Sequence, residues 1–347
     1  MRKNSGYAMK RLATPSLDGK PFAWKAAELR KSESAWVLSW EKSQQRELRA
    51  LATQTEKASG ESVHSLSEKL TSKLAHIREV LEEGVGVALV RGLEIADWSE
   101  KQAKVMFLAL ARAIGTPVSQ NAEGNLIFSV RNEGYARHDP RTRGPNSNKG
   151  LSFHTDRCDQ IGFLCLRQAK RGGVNELVSS AALYEEIRRT APDVLRVLMG
   201  TFLYKRHVVD LGNERPCCEQ PVFSFCQNRF AACFLRVLID RADADPTLPD
   251  LTMEQKEALD HLEVTAEKDK FVLRLRQEPG DLLFLNNWVT FHRRTAFEDH
   301  PEPEKRRHLL RVWLSPPNNR PLDEAFLENY GSVAAGVPRG GMKALGV

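Results

Sequence analysis

The sequence predicts an α+β protein with a double-stranded β-helix (jelly-roll) core, flanking helices and an N-terminal helical extension. Residues from about 22 to 83 are rich in Lys, Glu, Gln and Ala, which favour helix. Beyond residue 160, many short apolar runs alternate with turn residues, a pattern typical of an antiparallel double-sheet fold. The chain contains neither a GxGxxG motif nor a Walker A motif, so dinucleotide and P-loop chemistry have no support.

These observations divide the chain into three parts. Residues 1–83 are expected to form a helical extension packed on the core, in which apolar positions such as Trp36, Leu38 and Trp40 lie among helix-forming residues. Residues 84–320 are expected to form the jelly-roll core with helical inserts, and residues 321–347 a C-terminal tail.

The core is predicted to begin with a buried strand and a capped helix. The strand lies between Gly84 and Gly92, in an apolar, β-rich run bounded by glycines. Ser99 is an N-cap candidate with Gln102 in the capping-box position, and the helix that follows should stop at Gly115. The next segment, residues 121–150, is rich in Gly, Asn, Arg and Pro, which indicates a long binding loop or lid.

The remaining short apolar runs are predicted strands, and two longer runs are predicted helical inserts. The strands are 161–166, 177–178, 222–225, 230–234, 271–275, 282–285 and 309–314, and the helices are 181–189 and 253–262.

Composition excludes several classes of protein. The formal net charge is +6, but the basic residues are scattered among acidic ones, so we expect no nucleic-acid partner. We favour a mildly cationic surface that keeps the protein soluble or attracts an anionic metabolite. No apolar run approaches the roughly 20 residues of a membrane-spanning helix, and the N-terminus lacks the apolar core of a secretory signal. The six cysteines form no CxxC pair, which favours a reducing, cytoplasmic location. The sequence leaves a homo-oligomer open.

A candidate metal site begins at His154-Thr155-Asp156. If this segment is extended, His154 and Asp156 point to the same face and can chelate one ion. His292 follows the apolar run 282–285 and could complete a face of two histidines and one carboxylate, the ligand set of non-haem Fe(II) oxygenases. The alternative reading of His292 is a hydrogen-bonded core histidine.

An ordered set of motifs extends this pattern and resembles the TauD/TfdA group, the taurine-dioxygenase-like Fe(II)/2-oxoglutarate oxygenases. The set is Gly150-Leu-Ser-Phe-His-Thr-Asp156, Gly172-Gly173, Pro279-Gly-Asp281, Asn287, His292 and Arg306-Arg307-His-Leu-Leu-Arg311. The resemblance runs from about Gly84 to Ser315. It implies a dioxygenase that uses Fe(II), 2-oxoglutarate and O₂ to oxidise, by hydroxylation, an aliphatic C–H bond of a small anionic or zwitterionic metabolite, releasing succinate and CO₂.

The resemblance also implies roles for individual residues. His154, Asp156 and His292 would bind iron, and Arg307 would hold the far carboxylate of 2-oxoglutarate. Arg311 would meet the anionic end of the primary substrate. The loop before these arginines is longer than in the family, so the choice among Arg306, Arg307 and Arg311 as the co-substrate ligand stays open. The family's threonine after the Gly-Gly turn is replaced here, and Asn175 would take over its hydrogen bond.

Substrate contacts and reaction outcome are the least determined. Relatives contact substrate in the region of Gln120, Asn121 and Arg131, although ordinary loop hydrogen bonding explains these residues equally well. Desaturation or cyclisation stays open beside hydroxylation. Two other functions fit the same scaffold, a non-catalytic jelly-roll protein that binds an organic acid and a Zn hydrolase.

Overall fold

The computed structural model describes residues 14–54, 66–135, 144–207, 210–213 and 215–345. The strands are β1 Val37–Ser39, β2 Val87–Arg91, β3 Thr116–Val118, β4 Ile127–Val130, β5 Gln160–Arg167, β6 Arg171–Gly172, β7 Asn175–Ser179, β8 Thr201–Lys205, β9 Cys217–Pro221, β10 Phe223–Cys226, β11 Arg229–Ala232, β12 Leu273–Leu275, β13 Leu282–Asn286, β14 Thr290–Arg294, β15 Phe297–Glu298 and β16 His308–Ser315. The helices are α1 Ala26–Lys31, α2 Lys42–Gln54, α3 Glu68–Glu82, α4 Glu100–Ile114, α5 Ser180–Thr190, α6 Pro192–Leu198, α7 Arg236–Asp243, α8 Met253–Ala266 and α9 Leu327–Tyr330.

A large sheet forms the centre of the molecule. Its strands follow the order β1-β2-β13-β5-β16-β3, and β4 also pairs with β16. Every pairing in it is antiparallel except that of β1 with β2. A smaller antiparallel sheet has the order β12-β7-β14. The fold is therefore of the predicted α+β class.

Alternating side chains of the large sheet enter two different cores. Ala88 and Val90 of β2 pack with α2, α3 and α4 on the outer face. Val87 and Leu89 pack inwards against Leu177 of the smaller sheet. The two sheets therefore face each other across a shared core, and helices cover the outside of the large sheet. The outer face of the smaller sheet packs on α5, α6 and α8. Because both faces of these strands are buried, their sequences are continuously apolar.

Most of the predicted elements are confirmed. Helix α4 begins after Ser99, whose hydroxyl accepts from the Gln102 N–H while the Gln102 side chain accepts from the Ser99 N–H. The helical reading of residues 22–83 is confirmed for α1, α2 and α3 but wrong for 37–39, which form strand β1. Trp36, Leu38 and Trp40 recur every second residue, which is the period of a strand rather than of a helix.

The ends of the described chain are joined to the core. Strand β1 belongs to the large sheet although it precedes residue 84. Near the other end, Arg339 is buried against Asp159 at 2.7 Å. The division at residues 83 and 320 stays a prediction. Within the described ranges, no helix is long and apolar enough to cross a membrane.

Candidate metal centre and active site

The three predicted metal ligands meet between the two sheets. His154 precedes β5 and forms an isolated antiparallel bridge with His292 of β14, in which each backbone N–H donates to the other carbonyl at 3.0 Å. Asp156 follows two residues after His154, and the candidate ligand atoms of all three side chains lie within 4.8 Å of one another. The backbone bridge therefore sets the spacing of the two imidazoles.

The protonation of His154 suits a metal ligand. Its Nδ1 lies 2.9 Å from the carbonyl oxygen of Ser152. A carbonyl can only accept, so Nδ1 carries the proton and Nε2 keeps its lone pair. Burial, together with the neighbouring His292, lowers the pKa of His154 to about 4. The ring is therefore neutral at neutral pH.

Asp156 is held as a carboxylate. Burial alone would raise the pKa of Asp156, but the positive charge of Arg311 and a hydrogen bond from His292 outweigh it, so this pKa lies well below its usual range. Arg311 Nη1 donates to Asp156 Oδ1 at 3.3 Å, whereas Oδ2 faces His292 Nε2 at 3.4 Å. An ionised carboxylate beside two imidazoles, with the candidate ligand atoms within 4.8 Å of one another, fits a divalent cation, and the donor set is that of an Fe(II) centre.

A cavity of about 700 Å³ opens over this triad. His154, Asp156 and His292 line it, together with Arg307 and Arg311. The volume lies in the range of sites for small organic molecules.

Of the three candidate arginines, Arg307 has free donors inside the cavity. Its side chain is 1% exposed, and its Nε and Nη1 have no hydrogen-bond partner. Burial lowers the pKa of Arg307 to about 10, so it is still a cation at neutral pH. Arg306 lies on the surface and donates to the carbonyls of His300 and Pro301. Arg311 is occupied by Asp156 and keeps only its Nη2 without a partner.

The Gly172-Gly173 turn before β7 leaves room for the side chain of Arg307. Gly173 has a φ of +67°, and a Cβ there would lie 3.0 Å from Arg307 Nε. Asn175 lines the same cavity, and its Nδ2 donates to Gln277 Oε1 at 3.0 Å. An anion in this part of the cavity would meet a guanidinium with unused donors.

The three weaker substrate candidates lie in different places. Gln120 is buried, and its Oε1 accepts from Arg311 Nε at 2.7 Å, so it orients Arg311. Asn121 accepts the Asn125 N–H within a turn. Arg131 is paired with Glu133 at 2.8 Å. Neither Asn121 nor Arg131 lines the cavity, so the structure does not bring them to the triad.

The sequence reading missed Arg294 and the residues of α7. Arg294 is buried and lines the cavity, and burial together with the charge of Arg307 lowers its pKa to about 9. The signal was its position two residues after His292 on a strand, which puts both on one face. At the other end, Val237 and Arg241 of α7 line the cavity.

Comparison with known proteins identifies relatives along most of the chain. The family model described as "Taurine catabolism dioxygenase TauD, TfdA family" matches residues 47–313. FR-33289 synthase of Streptomyces rubellomurinus (strain ATCC 31215) is 30% identical over 277 residues, which cover 78% of this chain and 81% of that protein.

Solved structures share the fold. An asparagine oxygenase in complex with Fe(II), 2S,3S-3-hydroxyasparagine and succinate superposes with a TM-score of 0.61 at 18% identity, covering 80% of this chain and 93% of that one. The non-haem iron oxygenase OrfP in complex with Fe and alpha-ketoglutaric acid gives 0.60 at 15% identity, with the same coverage.

Proposed function

This chain belongs to the TauD, TfdA family of taurine catabolism dioxygenases, and from that membership we propose that it hydroxylates an aliphatic C–H bond of a small anionic or zwitterionic metabolite. It is a 2-oxoglutarate-dependent non-haem iron dioxygenase that uses Fe(II), 2-oxoglutarate and O₂. Membership of this family sets aside the Zn hydrolase and the non-catalytic binding protein. We also interpret the two facing sheets as the jelly roll of such enzymes.

The proposal rests on one observation. The triad lines the same cavity as Arg307, a buried cation with two donors that have no hydrogen-bond partner. His154, Asp156 and His292 would bind Fe(II), and Arg307 would bind the far carboxylate of 2-oxoglutarate. Arg307 is supported by its two buried donors without an acceptor, whereas Arg306 points to the surface. Asn175 lines the same cavity, and the second hydrogen of its Nδ2, which donates to Gln277, would add a hydrogen bond at the same carboxylate.

When bound, Fe(II), 2-oxoglutarate and O₂ supply the oxidising power, and the products are a hydroxylated metabolite, succinate and CO₂. The protein's contribution is orientation and charge. Gln120 holds Arg311, and Arg311 holds the carboxylate of Asp156 in its ionised form. The remaining Nη2 donor of Arg311 is free to meet an anionic group of the substrate. Fixed geometry of this kind lowers the entropic cost of reaching the reactive arrangement.

The proposal is tested by anaerobic addition of Fe(II) and 2-oxoglutarate to the protein. We expect a weak visible charge-transfer band, and a further shift when a true substrate is added. The Asp156→Ala variant should lose this band and all 2-oxoglutarate turnover, because a carboxylate ligand is missing. A surface variant, Arg171→Ala, is the control, since Arg171 pairs with Glu298 in solvent. Full turnover by Asp156→Ala would refute the ligand assignment.

A further inference from the structure

Arg294 is a second buried arginine at the end of the cavity where Arg307 lies. It ends strand β14, and its backbone is in register with Asn175 of β7. Because side chains alternate along a strand, Arg294 shares the face of His292 rather than that of Arg293. It is 4% exposed and lines the cavity beside Asn175 and Arg307.

The donors of Arg294 are only partly used. Its Nη2 donates to the carbonyl oxygen of Lys149, while Nε and Nη1 have no hydrogen-bond partner. The same two atoms are without partners in Arg307. Within the part of the chain that the structure describes, no carboxylate oxygen lies within 4.0 Å of either guanidinium. Together the two cations bury four donor atoms that have no acceptor, which costs free energy, and a bound anion would accept hydrogen bonds from them.

The two guanidiniums are also close enough to share one ligand. Their Cζ atoms lie 4.7 Å (Arg294) and 5.2 Å (Arg307) from the centre of the Phe297 ring. The two Cζ atoms are therefore at most about 10 Å apart, a gap that one carboxylate with hydrogen bonds of about 2.8 Å on each side can bridge.

Charge balance favours a single additional negative charge. Asp299 is the carboxylate whose charge acts on both arginines, and its Oδ1 accepts the backbone N–H of Arg307. Arg276 also acts on Arg307 but is paired with Glu278 at 3.8 Å, so the two arginines and Asp299 carry one net positive charge. A carboxylate that enters between the arginines would neutralise it.

We propose that Arg294 is a second ligand of the far carboxylate of the 2-oxo acid co-substrate beside Arg307, and that it adds to the preference for dicarboxylic over monocarboxylic 2-oxo acids. This inference rests on the proposed function of the site, since it takes 2-oxoglutarate as the ligand beside the triad. Arg294 is then a specificity-determining residue that contacts the co-substrate at the end remote from the metal.

The test compares two ligands that differ only in that carboxylate. Isothermal titration calorimetry of the Fe(II)-loaded protein under anaerobic conditions measures the Kd of 2-oxoglutarate and of 2-oxopentanoate, which lacks the far carboxylate. In Arg294→Met we expect 2-oxoglutarate to bind about tenfold to a hundredfold more weakly, the loss typical of hydrogen bonds to charged groups. Binding of 2-oxopentanoate should change less than twofold. The control is Arg274→Met, which removes a charge from β12 whose partners are Glu176 and Asp269.

The outcomes separate the inference from the proposed function. An unchanged Kd of 2-oxoglutarate in Arg294→Met overturns the inference, and so does an equal loss for both acids, which would mean that Arg294 acts through the position of His292 or Lys149. A wild-type protein that binds neither acid overturns the proposed function itself. If circular dichroism shows that Arg294→Met is unfolded, Arg294→Lys replaces it. The lysine keeps the charge but loses the forked donors of the guanidinium. The variant should therefore still prefer 2-oxoglutarate to 2-oxopentanoate, but by a smaller ratio of Kd values than the wild type.

Discussion

Replacement of Gly173 by alanine should weaken 2-oxoglutarate binding without touching any residue that contacts it. The backbone of Gly173 is left-handed, with a φ of +67°, which costs an alanine about 1–2 kcal/mol. The new Cβ would also lie 3.0 Å from Arg307 Nε and 3.2 Å from its Cδ, so the guanidinium has to shift by a few tenths of an ångström. Loss of about half of one charged hydrogen bond, ~1.4 kcal/mol, corresponds to a tenfold higher Kd.

The matched control is Gly92→Ala. Gly92 has a φ of +79°, but a Cβ there would have no atom within 4 Å. Both variants should therefore lose about 1–2 kcal/mol of unfolding free energy in urea, whereas only Gly173→Ala should show the higher Kd in an anaerobic titration with 2-oxoglutarate. Equal Kd values for the two variants would refute the reasoning that Gly173 positions Arg307 for the far carboxylate of 2-oxoglutarate.

Two further predictions concern stability. His308 is buried, its Nδ1 accepts from Arg167, and burial lowers its pKa to about 4. In the unfolded chain the pKa of His308 is the ordinary value of about 6.5, so between pH 6.5 and 4 this side chain is protonated in the unfolded state but not in the folded state. The free energy of unfolding should therefore fall by up to about 3 kcal/mol as the pH drops from 6.5 to 4. In urea titrations of the metal-free protein, His308→Gln should flatten this dependence, and identical slopes would contradict the assignment. Arg339→Met, which removes the cation paired with the buried carboxylate of Asp159, should cost about 3–5 kcal/mol, against under about 1 kcal/mol for the exposed Arg171→Met. Similar losses for both would exclude a role for burial.

Local patterns in the sequence were sufficient to propose the three metal ligands. His154 and Asp156 are two residues apart in an extended segment, so their common direction follows from backbone geometry alone. His292 follows an apolar run whose pattern predicts a buried strand. Arg307 could be proposed from the resemblance, but the choice over Arg306 depends on where the long preceding loop turns, and the structure buries one and exposes the other.

Other features depend on contacts that no local pattern encodes. Arg293 and Arg294 are adjacent and chemically identical, and both line the cavity, yet Arg293 is paired with Glu176 and Glu267 while Nε and Nη1 of Arg294 have no hydrogen-bond partner. Strand β1 is short and lies among helix-forming residues. The helix propensity of its neighbours therefore outweighed the alternation of apolar residues that is typical of a strand. Arg131 was predicted as a substrate contact, but the sequence does not reveal that it forms an ion pair with Glu133.

The rigidity of the ligand-bearing segment comes from residues far away in the chain. The Asn287 side chain accepts the N–H of Asp156 at 3.3 Å and donates to the carbonyl of Cys158 at 3.1 Å. Asp159 in turn receives hydrogen bonds from Trp288 and Arg339. A carboxylate ligand placed on a free loop would have to be ordered each time the metal binds, at an entropic cost of about 1–2 kcal/mol per residue. Because these buried bonds order the segment during folding instead, we expect Arg339 to contribute to metal affinity although it does not line the cavity over the triad.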